Sequence, residues 1–260
     1  MSTTREVSYL PGRKAEYAAR MFPFIARPYD RLTRWLTFFL DRGWREQAAE
    51  QAELKPGERA LDLATGTGEL ALALAARVGA HGRVVGVDLT SAMLAEARRK
   101  IRGTPYERTI ALIEMDAGQA LPFPDGSFHA VTMGLALRYF DAPLTIAEMT
   151  RVVKPGGRVV LLDFSVPKAW WLRPGYWLWA FLLMPRLGGL LAGNPEVRSL
   201  LHFLPRSIDH FWKPNQLVGI MEACGLIDVS AEPLTLGIAA LFVGVKPRGI
   251  KSAGDWFQAS

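Results

Sequence analysis

The stretch "LDLATGTGEL", residues 61–70, leaves an apolar run through Thr65, Gly66, Thr67 and Gly68, then turns acidic at Glu69. Small residues where a strand hands over to a helix let the backbone approach a ligand closely, with the first helical amides pointing at it. A nucleotide or a carboxylate end needs that geometry. The same glycines also serve plain tight turns, so the flanking segments have to decide.

From residue 57 onward, short β-rich runs alternate with helical ones: "RALDLA", "ELALALAARV", "RVVGVDL", "SAMLAEARRKIR", "TIALIEMDA", "FHAVTMGLAL", "LTIAEMTRVV", "GRVVLLDFS". Such alternation predicts an α/β fold with a parallel sheet and helices on both faces. "VVKPGGRVV" at 152–160 predicts a helix end, a turn and the next strand. Past residue 213, "PNQLVGIMEACGL" reads as an amphipathic helix, and "IDVSAEPL" with "LGIAALFVGVKP" as two strands with no helix between them. That pair is expected to close the sheet as an antiparallel C-terminal hairpin. A helical N-terminal extension is expected over 1–50, the sheet domain over 51–247 with a Trp- and Pro-rich helical insertion at 166–212, and a tail over 248–260.

A chain of 260 residues can bury one sizeable core, and half its residues are hydrophobic against 22% charged, which excludes disordered and collagen-like chains. Cys224 is the lone cysteine, so no intramolecular disulfide forms, and "MSTTREVSYL" lacks the order of a signal peptide. A cytoplasmic location is expected. The apolar stretch at 176–193 is broken by Pro185 and Arg186 and is shorter than the ~20 residues of a spanning helix. Residues 1–45 hold nine basic and four acidic side chains, interleaved with "MFPFIARPY" and "WLTFFL". This pattern suits an anionic membrane surface as well as nucleic acid, or a solvated basic face.

Asp88 ends "RVVGVDL" about 20 residues after the glycines, where a carboxylate can take both hydroxyls of a ribose. NAD and S-adenosylmethionine fit this equally. The next strand run ends in Asp116 and Ala117, placing a carboxylate and an amide where an adenine edge would lie, and "GTGE" lacks the third glycine of a dinucleotide fingerprint.

The array "LDLATGTGE", "VVGVDLTSAML", "DAGQALPFPDGSF", "EMTRVVKPGGRVVLLDFSVP" resembles the class I S-adenosylmethionine-dependent methyltransferases over residues 57–246. More narrowly, "MFPFIARPYD", "RGWRE", "MPRLGGLLA", the Ser207-Ile208 pair and "LTLGIAALFVGVKP" are similar to the C-methyltransferases of menaquinone and ubiquinone biosynthesis, over nearly all of 21–247. The resemblance implies a Rossmann-like, seven-stranded, mostly parallel sheet and S-adenosyl-L-methionine as cofactor. It implies that Gly66, Thr67 and Gly68 hold the methionine end, Asp88 the ribose, and Asp116 with Ala117 the adenine. Asp62 would orient the loop or the methionine amine, Met93 would pack on adenine or in the core, and Leu89 and Gly134 complete the set.

Departures from the family's pattern fall in the acceptor region. Its Phe-Gly-Leu-Arg-Asn run reads "LALRY" at 135–139, keeping Arg138 but placing Ala136 for Gly and Tyr139 for Asn. Its His in the last strand is Phe242, two Tyr positions are Leu201 and Phe203, and a Pro is Trp212. A reshaped, more apolar pocket is expected. Methylation of a phenolic ring carbon calls for a base and for a cation beside the developing phenolate. Arg138 stays protonated and is the expected phenolate stabiliser; Asp141, Tyr29, Tyr139, His202 and His210 are the candidate bases. His129 is expected at a strand start and Cys224 at a helix end, and no metal ligands are expected.

The insertion reads either as a membrane-facing flap for a lipid-soluble acceptor or as a helical cap packed on the sheet or against a second copy of the chain. Expected partners are thus an apolar small-molecule or lipid acceptor, a membrane surface touched peripherally, and a homodimer mate; nucleic acid is not among them. The expected reaction is C-methylation of a demethylmenaquinone-like quinol. Methylation of another lipid, terpenoid or aromatic metabolite, or a non-catalytic cofactor-binding role at the membrane, stand as alternatives.

Overall fold

The computed structural model describes residues 20–167, 169–186 and 195–248. The C-terminal tail after 248, much of the N-terminal extension and the "LGGLLAGN" part of the insertion lie outside the described residues. After helical residues 20–25 come α1 (Tyr29–Leu36), α2 (Asp41–Gln51), β1 (Arg59–Leu63), α3 (Glu69–Val78), β2 (Arg83–Asp88), α4 (Ser91–Ile101), β3 (Ile110–Glu114) and β4 (Phe128–Gly134). A 3₁₀ turn at Leu137–Tyr139 leads to α5 (Ala142–Val152) and β5 (Val153–Phe164). The insertion follows with a 3₁₀ turn at Trp170–Leu172, α6 (Arg173–Trp177) running into a π-helical turn at Leu178–Leu183, and α7 (Pro195–Asp209). The chain ends with α8 (Pro214–Ala223), β6 (Ile227–Leu234) and β7 (Ala239–Val245).

The seven strands form one sheet in the order β3-β2-β1-β4-β5-β7-β6, parallel except that β7 runs antiparallel to β5 and β6. The expected α/β sheet and its C-terminal hairpin are therefore both present. The Lys154–Gly157 turn interrupts the ladder: Val153 pairs with Phe128, and pairing resumes at Arg158 opposite Ala130. Central strands are buried on both faces, as their unbroken apolar runs require.

One face of the sheet packs on α2 and α3, with Trp44, Ala48, Leu74 and Val78 in its core; the other packs on α5 and α8 through Ile146, Met149, Leu217 and Met221. Trp44 on α2 donates from Nε1 to Thr235 Oγ1 at 2.9 Å, so this part of the N-terminal segment is built onto the sheet. A third core joins Ile25, Met93 and Met184 to Val197 and Leu201 of α7, closing the insertion over the carboxyl ends of the strands. In open α/β sheets, ligands bind at those ends, where the strand order reverses. Here that point lies between β1 and β4. Among the described residues, no helix is long and apolar enough to cross a membrane, and no group of His, Cys, Asp or Glu side chains could hold a metal.

Candidate active site

Leaving β1, the chain takes left-handed conformations at Ala64 (φ 52°), Gly66 (φ 55°) and Gly68 (φ 81°). Such a φ at a residue with a Cβ is unfavourable by on the order of 1 kcal/mol and persists only where surrounding contacts impose it. Those contacts are the Thr65 amide to the Val87 carbonyl at 2.8 Å and the Gly66 amide to Asp88 Oδ2 at 2.8 Å. A Cβ at Gly68 would lie 3.2 Å from that of Ala97, so this glycine lets α3 close on α4. Gly68 is also the N-cap of α3 and supplies no side-chain cap, leaving the first helical amides for a ligand.

Two buried carboxylates frame the loop. Asp62 accepts from Thr65 Oγ1 at 2.6 Å and from Thr132 Oγ1 at 2.8 Å, and burial pushes its carboxyl up to about 6 despite both bonds. Asp88 accepts from the Thr90 amide on Oδ1 at 2.8 Å and from Gly66 on Oδ2; burial raises its carboxyl as well. Each Asp88 oxygen retains a lone pair for a further donor.

A cleft of about 640 Å³, open mouth included, runs along these strand ends. Of the expected cofactor residues it is lined by Gly66, Asp88, Leu89, Met93, Ala117 and Gly134, and Tyr29 and Tyr139 face it from the other side. A smaller compartment of about 330 Å³ shares Tyr29, Ala64, Gly66 and Gly134 with it and adds Asp62, Thr67 and Arg45. Met93 both lines the cleft and packs in the insertion core.

Some expected residues are placed elsewhere. Asp116 folds back on its own turn, accepting from the Gly118 amide at 2.8 Å and from Gln119 Nε2 at 3.4 Å. Asp141 is the exposed N-cap of α5, accepting from the Leu144 amide at 3.1 Å. His202 and His210 lie exposed along and just after α7. His129 is the second residue of β4, where Nδ1 accepts from the Arg59 amide at 3.0 Å, and Cys224 is the C-cap of α8. Of the altered acceptor positions, Ala136 and Tyr139 line the cleft and Phe203 stacks on Tyr139 at 6.1 Å. Leu201 is in the insertion core, Phe242 is in the sheet core, and Trp212 is half-exposed away from the cleft.

Arg138 is buried behind Tyr139. Its Nη1 pairs with Asp163 Oδ1, which also accepts from the Phe164 amide at 2.7 Å, while Arg138 Nε and Asp163 Oδ2 have no hydrogen-bond partner among the described residues. The guanidinium carbon lies 4.9 Å from the Tyr139 ring centroid and 5.2 Å from that of Phe164. Burial is the largest influence and works against the Arg138 charge, but the Asp163 carboxylate together with Tyr139 and Tyr29 outweighs it and holds the guanidinium protonated; burial raises Asp163, with Arg138 opposing. Desolvation also raises the Tyr29 phenol, and pushes that of Tyr176 up to about 12.

Sequence reasoning missed Asp163, Arg45 and Asp30. Arg45 pairs with Asp41 at the small compartment. Asp30 accepts from Thr67 Oγ1 and pairs with Lys100 at 2.6 Å, and Lys100 also pairs with Glu69 at 2.6 Å, so α1 is latched over the glycine loop. The Tyr-Asp pair of the upstream motif was the available signal: Tyr29 faces the cleft and Asp30 makes the latch.

A family model described as the ubiE/COQ5 methyltransferase family matches residues 12–246. The chain is 43% identical to a demethylmenaquinone methyltransferase of Thermus thermophilus, over 87% of this chain and 100% of that one. It is 39% identical to a demethylmenaquinone methyltransferase of Desulfitobacterium hafniense, over 90% and 92%. Among solved structures, a SAM dependent methyltransferase from Aquifex aeolicus superimposes with a TM-score of 0.54 at 17% identity, over 77% of this chain and 88% of that one, which supports the shared fold.

Proposed function

The chain belongs to the ubiE/COQ5 methyltransferase family and is an S-adenosylmethionine-dependent methyltransferase, and from that premise we propose that it methylates a ring carbon of a demethylmenaquinone-like quinol. The observation that carries the acceptor reading is the buried Arg138–Asp163 pair against the wall of the cofactor cleft, with one polar atom of each left without a partner among the described residues.

The strand-end cleft suits the cofactor. Gly66 and the free amides of α3 would cradle the methionine end, with Arg45 toward its carboxylate and Asp62 toward its ammonium. Asp88 would take the ribose, and Leu89, Met93 and Ala117 would enclose the adenine. We keep Asp116 as the residue that shapes this rim through its turn rather than as a direct ligand. When bound, the cofactor supplies an electrophilic methyl group on sulfonium.

A quinol hydroxyl must lose its proton for the adjacent ring carbon to become nucleophilic, and the ring C–H proton leaves after the new C–C bond forms. Negative charge meanwhile rests on the phenolate oxygen. Arg138 stabilises that charge in a dry site, where a fixed cation counts for more than in water. Asp163 holds the guanidinium in place, and its unpartnered oxygen can receive the hydroxyl proton through a water. Tyr29 is a poor base because burial raises its phenol, so it serves as a hydrogen-bond donor. Placement makes Asp141, His202 and His210 weaker candidates than Asp163.

The enzyme would work from the cytoplasm at the membrane surface, where such an acceptor is held. Exposed Trp35, Phe38, Phe39, Trp170 and Trp171, with exposed Arg31 and Arg42, support this location. Tyr139, Phe203 and Ala136, which depart from the family's pattern around the cleft, favour a different apolar acceptor as a second reading. The test is methyl transfer by the purified protein to a demethylmenaquinone offered reduced and oxidised. Transfer to the quinol alone supports the proposal, since only the reduced ring is nucleophilic; transfer to neither removes the quinone reading.

A further inference from the structure

A second cavity lies between the α1–α2 turn, the insertion and the β6–β7 turn, about 870 Å³ with its open mouth. Its wall is hydrocarbon: Leu36, Phe38, Leu172, Trp179, Leu236 and Ile238. The Tyr176 phenol and Trp179 indole also line it, and two other polar side chains there are engaged within the fold. The Thr37 hydroxyl donates to the Thr33 carbonyl at 2.8 Å, and Trp44 Nε1 is held by Thr235. Water in such a groove finds few partners, so an apolar ligand replaces it favourably.

Arg138 links this groove to the cofactor cleft. Its guanidinium touches Tyr139, a wall of the cleft, and Phe164, a wall of the groove. Helix α1 makes the same connection along its length, from Tyr29 in the cleft to Leu36 in the groove. At 1.5 Å per residue that is about 10 Å, so the groove lies within reach of a chain carried by a ring bound beside Tyr139. The open mouth, where Phe38 and Leu236 are mostly exposed, lets a longer chain continue outward.

We infer that this groove is the binding site for the hydrocarbon tail of the acceptor, a prenyl-type chain. The inference rests on the quinol reading, and its test separates the two. Gly175 lines the groove on α6, and a Cβ there meets nothing within 4 Å, so Gly175→Phe fills the groove at little cost to the fold, with Gly175→Ala as the size control. Leu236→Asp, at an exposed tip, puts a charge at the mouth by an independent route.

Each protein is assayed with a demethylmenaquinol carrying several prenyl units and with the same naphthoquinol lacking a chain. Gly175→Phe and Leu236→Asp should raise KM for the tailed acceptor by about tenfold or more, the effect of losing a few buried methylenes. Turnover of the tailless acceptor and affinity for S-adenosylmethionine should match the parent. Equal effects on both acceptors, or none on either, overturn the tail site. Farnesol, a free prenyl chain, is titrated against tryptophan fluorescence as a readout independent of methylation. Saturable binding that Gly175→Phe abolishes supports the groove even if neither quinol is methylated, whereas binding unchanged in Gly175→Phe overturns it.

Discussion

Arg138 and Asp163 form a buried ion pair that is incomplete on both sides: Nη1 meets Oδ1, while Nε and Oδ2 have no hydrogen-bond partner among the described residues. Desolvating a charge costs several kcal/mol, and a pair that leaves polar atoms unmet recovers less of that cost than a fully bonded one. The arrangement makes sense as a site that gains bonds when an acceptor hydroxyl or a water arrives.

Asp163→Asn keeps the shape of the side chain and removes its charge. Turnover should fall by about a hundredfold, while S-adenosylmethionine binding measured by calorimetry stays within about twofold. Asp163→Glu should restore part of kcat. Loss of cofactor affinity in step with turnover would reduce Asp163 to a residue of the fold.

Arg138→Gln should depress kcat more than Asp163→Asn does, since it removes the cation itself. Stopped-flow rates across pH separate the roles. The residual activity of Arg138→Gln should climb toward high pH, where the quinol ionises unaided, and a flat profile would argue against phenolate stabilisation.

Asp88→Ala should weaken S-adenosylmethionine by about tenfold to a hundredfold. It removes the ribose acceptor and also frees the Gly66 amide that shapes the loop. Asp30→Ala, which cuts the latch from α1 to Thr67 and Lys100, should weaken the cofactor less but raise protease cleavage before residue 30. Titration calorimetry and limited proteolysis read the two effects separately.

The Asp62 carboxyl stands at about 6 in the fold against 3.8 as a free group. Between those values the folded chain retains a proton that the unfolded chain has released, so the stabilisation present at pH 4 is lost as pH rises through about 6. The loss is at most roughly 3 kcal/mol. Urea unfolding of the unliganded parent and Asp62→Asn should show the parent losing ground to the variant over this range. Affinity for S-adenosylmethionine should rise over the same window, because its ammonium favours the ionised carboxylate. A parent and variant with parallel pH curves would contradict the assignment.

The cofactor half of the site was legible because its chemistry resides in local sequence. Two glycines in a strand-to-helix turn permit the left-handed backbone, a carboxylate ends the next strand, and the parallel pairing of β1 with β2 brings Gly66 and Asp88 together. Asp116 shows the limit of that logic: a carboxylate two residues past a strand end can cap its own turn instead of reaching a ligand. Asp163 read only as one polar residue in the β5 run, since its partner lies 25 residues away on another element. The groove was illegible for the same reason, being assembled from α1, the insertion and the β6–β7 turn. The alternation of strands and helices carried the topology through β7, whereas no periodicity marks a shared wall such as Phe164.

The most direct test of the central claim is methyl transfer from labelled S-adenosylmethionine into a total lipid extract under reducing conditions, with the labelled fraction resolved by chromatography. Label is expected in the quinone fraction, on a ring carbon, and should be lost in Arg138→Gln. Label confined to another lipid class, or none from a protein that still binds the cofactor, would contradict the claim.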